Sequence, residues 1–212
     1  MKTTKALTAL CLAMIFSCVS LFAQKSSDGV GFYGKITAGW ADWTVKEKEW
    51  KESFGHFEAV PTLGITNLIP LEYLDLEAFC IIGYGSEDYN SYVEMSNFLI
   101  APGARAIYAR PISSFTGKKG TWQDQLIPYA GAGLSLPIMF SEAETNYYTY
   151  DSNGNRISKK ETYSDTNVYF DFDFQYGCRW AFTPQFAVLV ENNFRFGGAF
   201  SYSFTAGVLY KF

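Results

Sequence analysis

The stretch that most constrains the fold is the last one, residues 200–212, reading FSYSFTAGVLYKF. Phe200, Tyr202, Phe204, Ala206, Val208, Tyr210 and Phe212 are apolar or aromatic, and Ser201, Ser203, Thr205, Gly207, Leu209 and Lys211 lie between them. Successive side chains of a strand point to opposite faces, so this alternation describes one long strand with one apolar face. Strands of soluble sheets are usually shorter. A strand that crosses a membrane has a reason for this length and pattern: one face meets lipid and the other faces a barrel interior.

The same period recurs along the chain, at residues 30–43, 56–66, 73–84, 97–109, 126–140, 167–182, 185–196 and 200–212. The sixth stretch shows it best. There Phe170, Phe172, Phe174, Tyr176, Cys178, Trp180 and Phe182 alternate with Asp171, Asp173, Gln175, Gly177, Arg179 and Ala181. From the third stretch onward the apolar face carries no charged residue, although Asn192 interrupts it in the seventh. The opposite face holds Lys35, Arg105, Arg179 and Arg195 with Glu58, Asp75, Glu77, Asp171, Asp173 and Glu191. A soluble barrel keeps its apolar face inside and spreads many long Lys and Glu side chains outside. Opposed charges set among Gly, Ser and Thr fit a narrow lumen instead, where the ions pair and close the passage. The fold class expected is all-β: an eight-stranded antiparallel up-and-down transmembrane β-barrel over residues 24–212, preceded by a cleaved signal peptide over 1–23.

Lys2 and Lys5 precede a short apolar run, ALTALCLAMIFS, and Ala23 precedes the polar QKSSDG. That is the layout of a secretory signal whose apolar core is too short to span a membrane. Leu21 departs from the small residue usual at its place, and Ile15-Phe16-Ser17-Cys18 offers a second option, a lipid on Cys18. After the leader only Cys80 and Cys178 remain. Export favours a disulfide, but the strand pattern turns both outward on strands that are not neighbours, which disulfide geometry does not allow. Two thiols are expected.

Several function classes drop out. A formal charge of −4 gives no electrostatic attraction to nucleic acid. One histidine and no cysteine cluster leave no metal site, and no cofactor is expected. His56, near Ser53 and Glu58, is the single catalytic candidate, and it is expected at the rim as an ordinary polar residue. Tyr84, Tyr108, Trp180 and Tyr210 fall near strand ends, where interfacial aromatics sit. Polar loops are expected at 44–55 and 85–95, a short turn at 67–72, and a longer link at 110–125 that contains GKKG. Residues 141–166 read as a projecting ribbon that turns at Asn153-Gly154. Its Tyr147, Tyr148, Tyr150, Lys159, Lys160 and Tyr163 form a candidate binding loop.

Three stretches carry a family resemblance. IPYAGAGL at 127–134, GCRWAFTPQFAVLVE at 177–191 and the terminal YKF resemble motifs of the small outer-membrane β-barrel proteins grouped with OmpX, OmpA and OmpW. The resemblance spans nearly the whole chain and implies a monomeric barrel among outer-membrane lipids, with termini in the periplasm and loops outside. It implies that the insertion machinery reads Phe204, Val208, Tyr210 and Phe212. Family barrels that act on lipid A use His with Ser and an acid, and the residue two after His56 is Glu58, so no enzyme is expected. Pro102 and Pro137, on neighbouring strands, resemble a weakened seam of the kind proposed for OmpW-like barrels, which implies passive transport of small solutes as the alternative to a structural or surface-interacting role. Removing residues 210–212 is expected to leave synthesis intact and to deplete the folded, heat-modifiable band from outer-membrane fractions. A truncated chain that assembled normally would remove the insertion-signal assignment.

Overall fold

The computed structural model describes residues 31–47, 50–66, 73–90, 93–150, 152–153, 155–198 and 200–212. The leader with its Cys18 option, the turn at 67–72 and Gly154 lie outside the described residues. The strands are β1 (Gly31–Glu47), β2 (Trp50–Thr66), β3 (Leu74–Asn90), β4 (Val93–Ala109), β5 (Leu126–Ser135), β6 (Ile138–Tyr150), β7 (Arg156–Val168), β8 (Asp171–Ala181), β9 (Phe186–Phe196) and β10 (Phe200–Lys211). Two single-turn helices, α1 (Ser113–Thr116) and α2 (Trp122–Gln125), lie between β4 and β5. Every strand pairs antiparallel with its neighbours, and β1 pairs with β10, so the sheet closes.

These ten segments make eight wall strands. β4 pairs with both β5 and β6, through Gly103↔Ser135 and Ile100↔Ile138, with two residues intervening on each side. β5–β8 and β6–β7 likewise share one register, through Ser135↔Asp171 and Ile138↔Val168. The expected fifth and sixth strands are therefore continuous, each interrupted at the same level. The break adds no residue and is bridged: Leu136 N donates to Pro102 O at 2.9 Å, and Tyr169 N donates to Pro137 O at 2.8 Å. Pro102 lies exposed on the outer wall and Pro137 faces inward, fully buried.

The pairings fix the barrel's stagger. From Gly34 they run through Leu63, Ala78, Ala104, Leu134, Phe172, Phe196 and Phe200, and return to β1 at Thr44. One circuit thus advances ten residues, from Gly34 to Thr44. Such a stagger tilts the strands by roughly 35–45° and leaves an interior that side chains can fill.

Four of the expected strands are longer than the alternation indicated. β1 and β2 continue into the stretch read as a polar loop at 44–55, and β3 and β4 into that at 85–95. Beyond the apolar band neither face of a hairpin meets lipid, so the apolar–polar signal vanishes although pairing continues. On β1 the exposed Asp42 accepts from Trp40 Nε1 at 3.4 Å. From β3 onward the outer wall within the band carries no charged residue among the described residues, and its one amide, Asn192, accepts from Tyr202 Oη at 2.7 Å. Phe172, Phe204 and Tyr210 are each more than half exposed there. Cys80 and Cys178 are outward-facing thiols on β3 and β8.

Closure brings β1 and β10 backbones close on the lumen side. A Cβ on Gly39 would stand 2.0 Å from Phe204 O, and one on Gly207 2.0 Å from Ile36 O. Valine at either position is expected to spread this pairing, at about 1–3 kcal/mol. Refolding into detergent followed by urea titration should show a lower midpoint for Gly39→Val and Gly207→Val. Ala38→Val, on the outer face of the same strand, should change it little.

Candidate functional site

Alternation turns every second side chain of each strand inward, and the structure places all ten expected lumen charges inside, none more than 8% exposed. Glu77 on β3 is the hub. Its Oε2 receives Lys35 Nζ at 2.9 Å and Arg105 Nε at 2.8 Å, and its Oε1 receives Tyr33 Oη at 2.7 Å and Arg179 Nη2 at 3.4 Å. Lys35 also donates to Glu191 Oε1 at 2.7 Å, which accepts from Tyr129 Oη at 2.8 Å. Arg105 reaches Asp173 at 3.5 Å, and Arg179 reaches Asp75 at 3.3 Å. Nearer the hairpin end, Arg195 Nη2 donates to Glu58 Oε2 at 2.7 Å and to Ser201 Oγ at 3.0 Å. Asp171 stands apart from these ion pairs and accepts instead from Gly198 N at 3.0 Å.

The lumen also holds large apolar groups where small residues were expected between the charges. Toward the hairpin end Trp43, Val60, Phe79, Ile81, Leu99 and Ala101 form one buried cluster, with Phe54 and Tyr169 against it. Toward the end bearing the carboxy-terminus Tyr33, Ala187, Leu189 and Leu209 form another. The centre of the ionic network, Lys35, Glu77, Arg105 and Glu191, lies between them, while Arg195 lies 6.0 Å over Trp43 of the first cluster and Arg179 5.3 Å over Tyr33 of the second. Arg105 stacks on Phe79 at 4.4 Å and Arg179 on Tyr129 at 4.6 Å, which joins the two kinds of packing.

His56 corrects the sequence reading. It is not on the rim but buried in the lumen, 3% exposed, with Nε2 3.6 Å from Glu58 Oε2 and the rings of Trp43 and Phe54 about it. Pairing with Ala41 sets it below the level of Trp43. Ser53 is exposed and accepts from Thr44 Oγ1 at 3.2 Å, so alternation keeps it off the face His56 occupies.

The candidate binding loop is a β-ribbon formed by β6 and β7. β4 accompanies it only as far as Val93↔Thr145. Among the described residues β7 pairs with β6 alone, and its other edge is unpaired over 13 residues. On its lumen-side face Tyr147 and Tyr163 both donate to Glu161, at 2.5 and 2.7 Å, with Lys159 beside them. These bonds hold the Glu161 carboxyl below its ordinary range, so the clamp is intact at neutral pH and is lost as pH falls through that lowered range. On the outer face lie Tyr148, Tyr150 and Lys160, with Arg156 stacked 3.6 Å over Tyr148 and Lys160 paired to Glu144. The six candidate residues are thus divided between two faces rather than gathered in one patch. The proposed insertion residues Phe204, Val208, Tyr210 and Phe212 line the outer wall, each 40–53% exposed.

Glu77→Gln is expected to be the most damaging neutral substitution in the lumen, because it takes one of two carboxylate partners from each of three cations. Its cost should be about 3–5 kcal/mol, read from urea unfolding in detergent. Asp171→Asn, which disturbs one bond to a backbone N–H, should cost about 1 kcal/mol.

The outer membrane protein beta-barrel domain family matches residues 9–212. Neisserial surface protein A is similar in structure, with a TM-score of 0.53 at 18% identity over 87% of this chain and 100% of that one. Ail of Yersinia pestis gives 0.45 at 9% identity, covering 85% and 98%. The amino-terminal barrel of Pseudomonas aeruginosa OprF gives 0.39 at 15% identity, covering 85% and 97%. No curated protein sequence matches the chain. The match over nearly the full length, on a closed eight-stranded wall, shows that the chain belongs to the outer membrane protein beta-barrel domain family.

Proposed function

We propose that this protein works at the cell surface through the hairpins beyond its apolar band, in an adhesin-like, non-enzymatic role, with the barrel as a sealed anchor. The observation that carries this reading is the β6–β7 ribbon. Arg156 lies fifteen residues beyond Asp171, roughly 50 Å along the strand at ~3.3 Å per residue. It offers tyrosines on both faces and an unpaired strand edge. Exposed aromatics give large contact area at small entropic cost, and an edge can accept backbone hydrogen bonds from an extended partner. In this reading the termini lie in the periplasm, the hairpins lie outside, and the barrel is a monomer.

Passive transport of small solutes is the second reading, and the break at Pro102 and Pro137 is the feature that favours it. Two observations weigh against it. The hydrogen bond from Leu136 keeps that seam laced, and the lumen is blocked by paired charges between two apolar clusters.

Replacing residues 146–163 by a short turn should leave the barrel heat-modifiable while expressing cells lose adhesion to immobilised extracellular-matrix proteins or to neighbouring cells. Unchanged adhesion would defeat the surface reading. In planar bilayers the full-length protein should give no stepwise conductance, and liposomes containing it should show no faster uptake of small apolar solutes. Reproducible steps or uptake would promote the transport reading over it.

A further inference from the structure

At the end of the barrel opposite the ribbon, the link between β4 and β5 is longer than a turn needs to be. Residues 110–125 join adjacent antiparallel strands, a task two residues can perform. They fold instead into a small pad built from α1 and α2. The pad is pinned to the wall by Arg110 N donating to Pro128 O at 3.2 Å and Ile112 N to Leu126 O at 3.1 Å. Thr116 Oγ1 donates to Gln123 Oε1 at 2.5 Å, tying α1 to α2.

The pad continues the lipid-facing wall. Trp180, half exposed on the outer face of β8, donates from Nε1 to Gln125 Oε1 at 3.3 Å. Arg110 lies 4.9 Å over the ring of Tyr73, which packs edge-on against Tyr108 of the wall, and 4.6 Å over Phe115 of the pad. The two largest apolar side chains of the pad are turned out: Phe115 is 64% and Trp122 60% exposed. An aromatic pair set level with the strand ends occupies the place where tryptophan and tyrosine meet the headgroup layer.

The charge of the pad is one-sided. It holds Arg110, Lys118 and Lys119 against a single acid, Asp124. That acid is engaged within the pad: it accepts from Gly120 N, and its carboxyl is held below the usual range chiefly by a hydrogen bond from Ser113. Among the described residues neither Lys118 nor Lys119 makes an ion pair. Both sit in a turn flanked by Gly117 and Gly120, in left-handed backbone at φ 71° and 74°, with open space on both sides. Two unpaired ammonium groups beside two outward aromatics, joined to a wall that meets lipid, form an amphipathic surface whose complement is an anionic headgroup over an acyl layer.

We propose that residues 110–125 are an interfacial anchor that binds anionic phospholipid headgroups in the leaflet at this end of the barrel. Lys118 and Lys119 hold the phosphate, while Phe115 and Trp122 sit at the headgroup–acyl boundary. This concerns the end opposite the surface ribbon and stands or falls independently of the adhesin-like reading.

The test uses the full-length, detergent-folded protein and native mass spectrometry with phosphatidylglycerol or phosphatidylcholine of the same acyl chains. The wild type should retain phosphatidylglycerol preferentially, and Lys118→Gln/Lys119→Gln should lose about tenfold or more of that preference. Lys118→Arg/Lys119→Arg should keep it, and Lys159→Gln/Lys160→Gln, at the ribbon, should leave it unchanged. No preference in the wild type, or an equal loss in the ribbon variant, would overturn the proposal. A second readout needs no change of charge. In vesicles containing brominated lipid, the emission lost between wild type and Trp122→Phe should be a quenched component. An unquenched, water-exposed Trp122 would place the pad away from lipid and sink the idea even if headgroup selectivity were seen.

Discussion

In hydrocarbon no water is at hand for an unpaired peptide group, so a sheet that crosses a membrane must satisfy all its backbone bonds within itself. Closure is the only way to do that with strands, and the pairing of β1 with β10 is where it happens. Much else follows from it. The ten-residue advance around the ring sets the tilt, the tilt sets the bore, and the bore decides how much side-chain volume the inner face must supply. Gly39 and Gly207 are part of the same constraint, since the two closing strands approach so nearly that a methyl group on either would strike the other's backbone.

The inner face fills that bore with two interleaved chemistries. Apolar clusters lie toward both ends, and the charges run between and alongside them with nearly every carboxylate facing a cation. Buried ion pairs of this kind are weak contributors to stability compared with well-packed apolar groups of the same volume. Their stronger effect is on register. Side chains alternate with period two, so a slip of one residue in any strand would turn its charges into lipid. Asp171, Asp173 and Arg179 on one strand, or Asp75 and Glu77 on another, make such a slip prohibitive. The network therefore specifies which face is inside, and closing the passage is a by-product of that specification.

That logic also marks what was legible in the sequence. Where one face meets lipid, alternation names it: Phe170 to Phe182 could be assigned residue by residue, as could all ten lumen charges. The hairpin extensions were not legible, because Val45, Glu52 or Met95 lie past the band, where neither face is penalised for polarity. Phe79 and Ile81 could be placed on the inner face, but not in the cluster they form with Trp43 and Leu99, since that depends on register across four strands. His56 failed for the same reason. Its neighbours in sequence look like a rim, and only the pairing with Ala41 shows that Trp43 lies above it. The break at Pro137 was visible as a proline. That the neighbouring strand breaks at the same level, at Tyr169 and Phe170, required the shared register.

The two rims differ for a reason that closure itself supplies. Four hairpins leave one end of the wall, and they leave at different heights: β9 and β10 turn at the edge of the apolar band, while β6 and β7 run far past it. Beside a low hairpin a high one has no neighbour, so the edge of β7 is left open by topology. A soluble protein with such an edge risks pairing with its own copies, and lysines on the strand are a common guard. Lys159 and Lys160 are placed where that guard would act. Anchorage adds another restraint, because copies held upright in one membrane can align their edges only by sliding alongside one another, and the wide wall of each barrel keeps them apart. An edge that would be a liability in solution is thus tolerable here. On the surface-interaction reading it is also useful, since a barrel whose inner face is filled by paired charges and apolar side chains has its remaining freedom to vary in the hairpins.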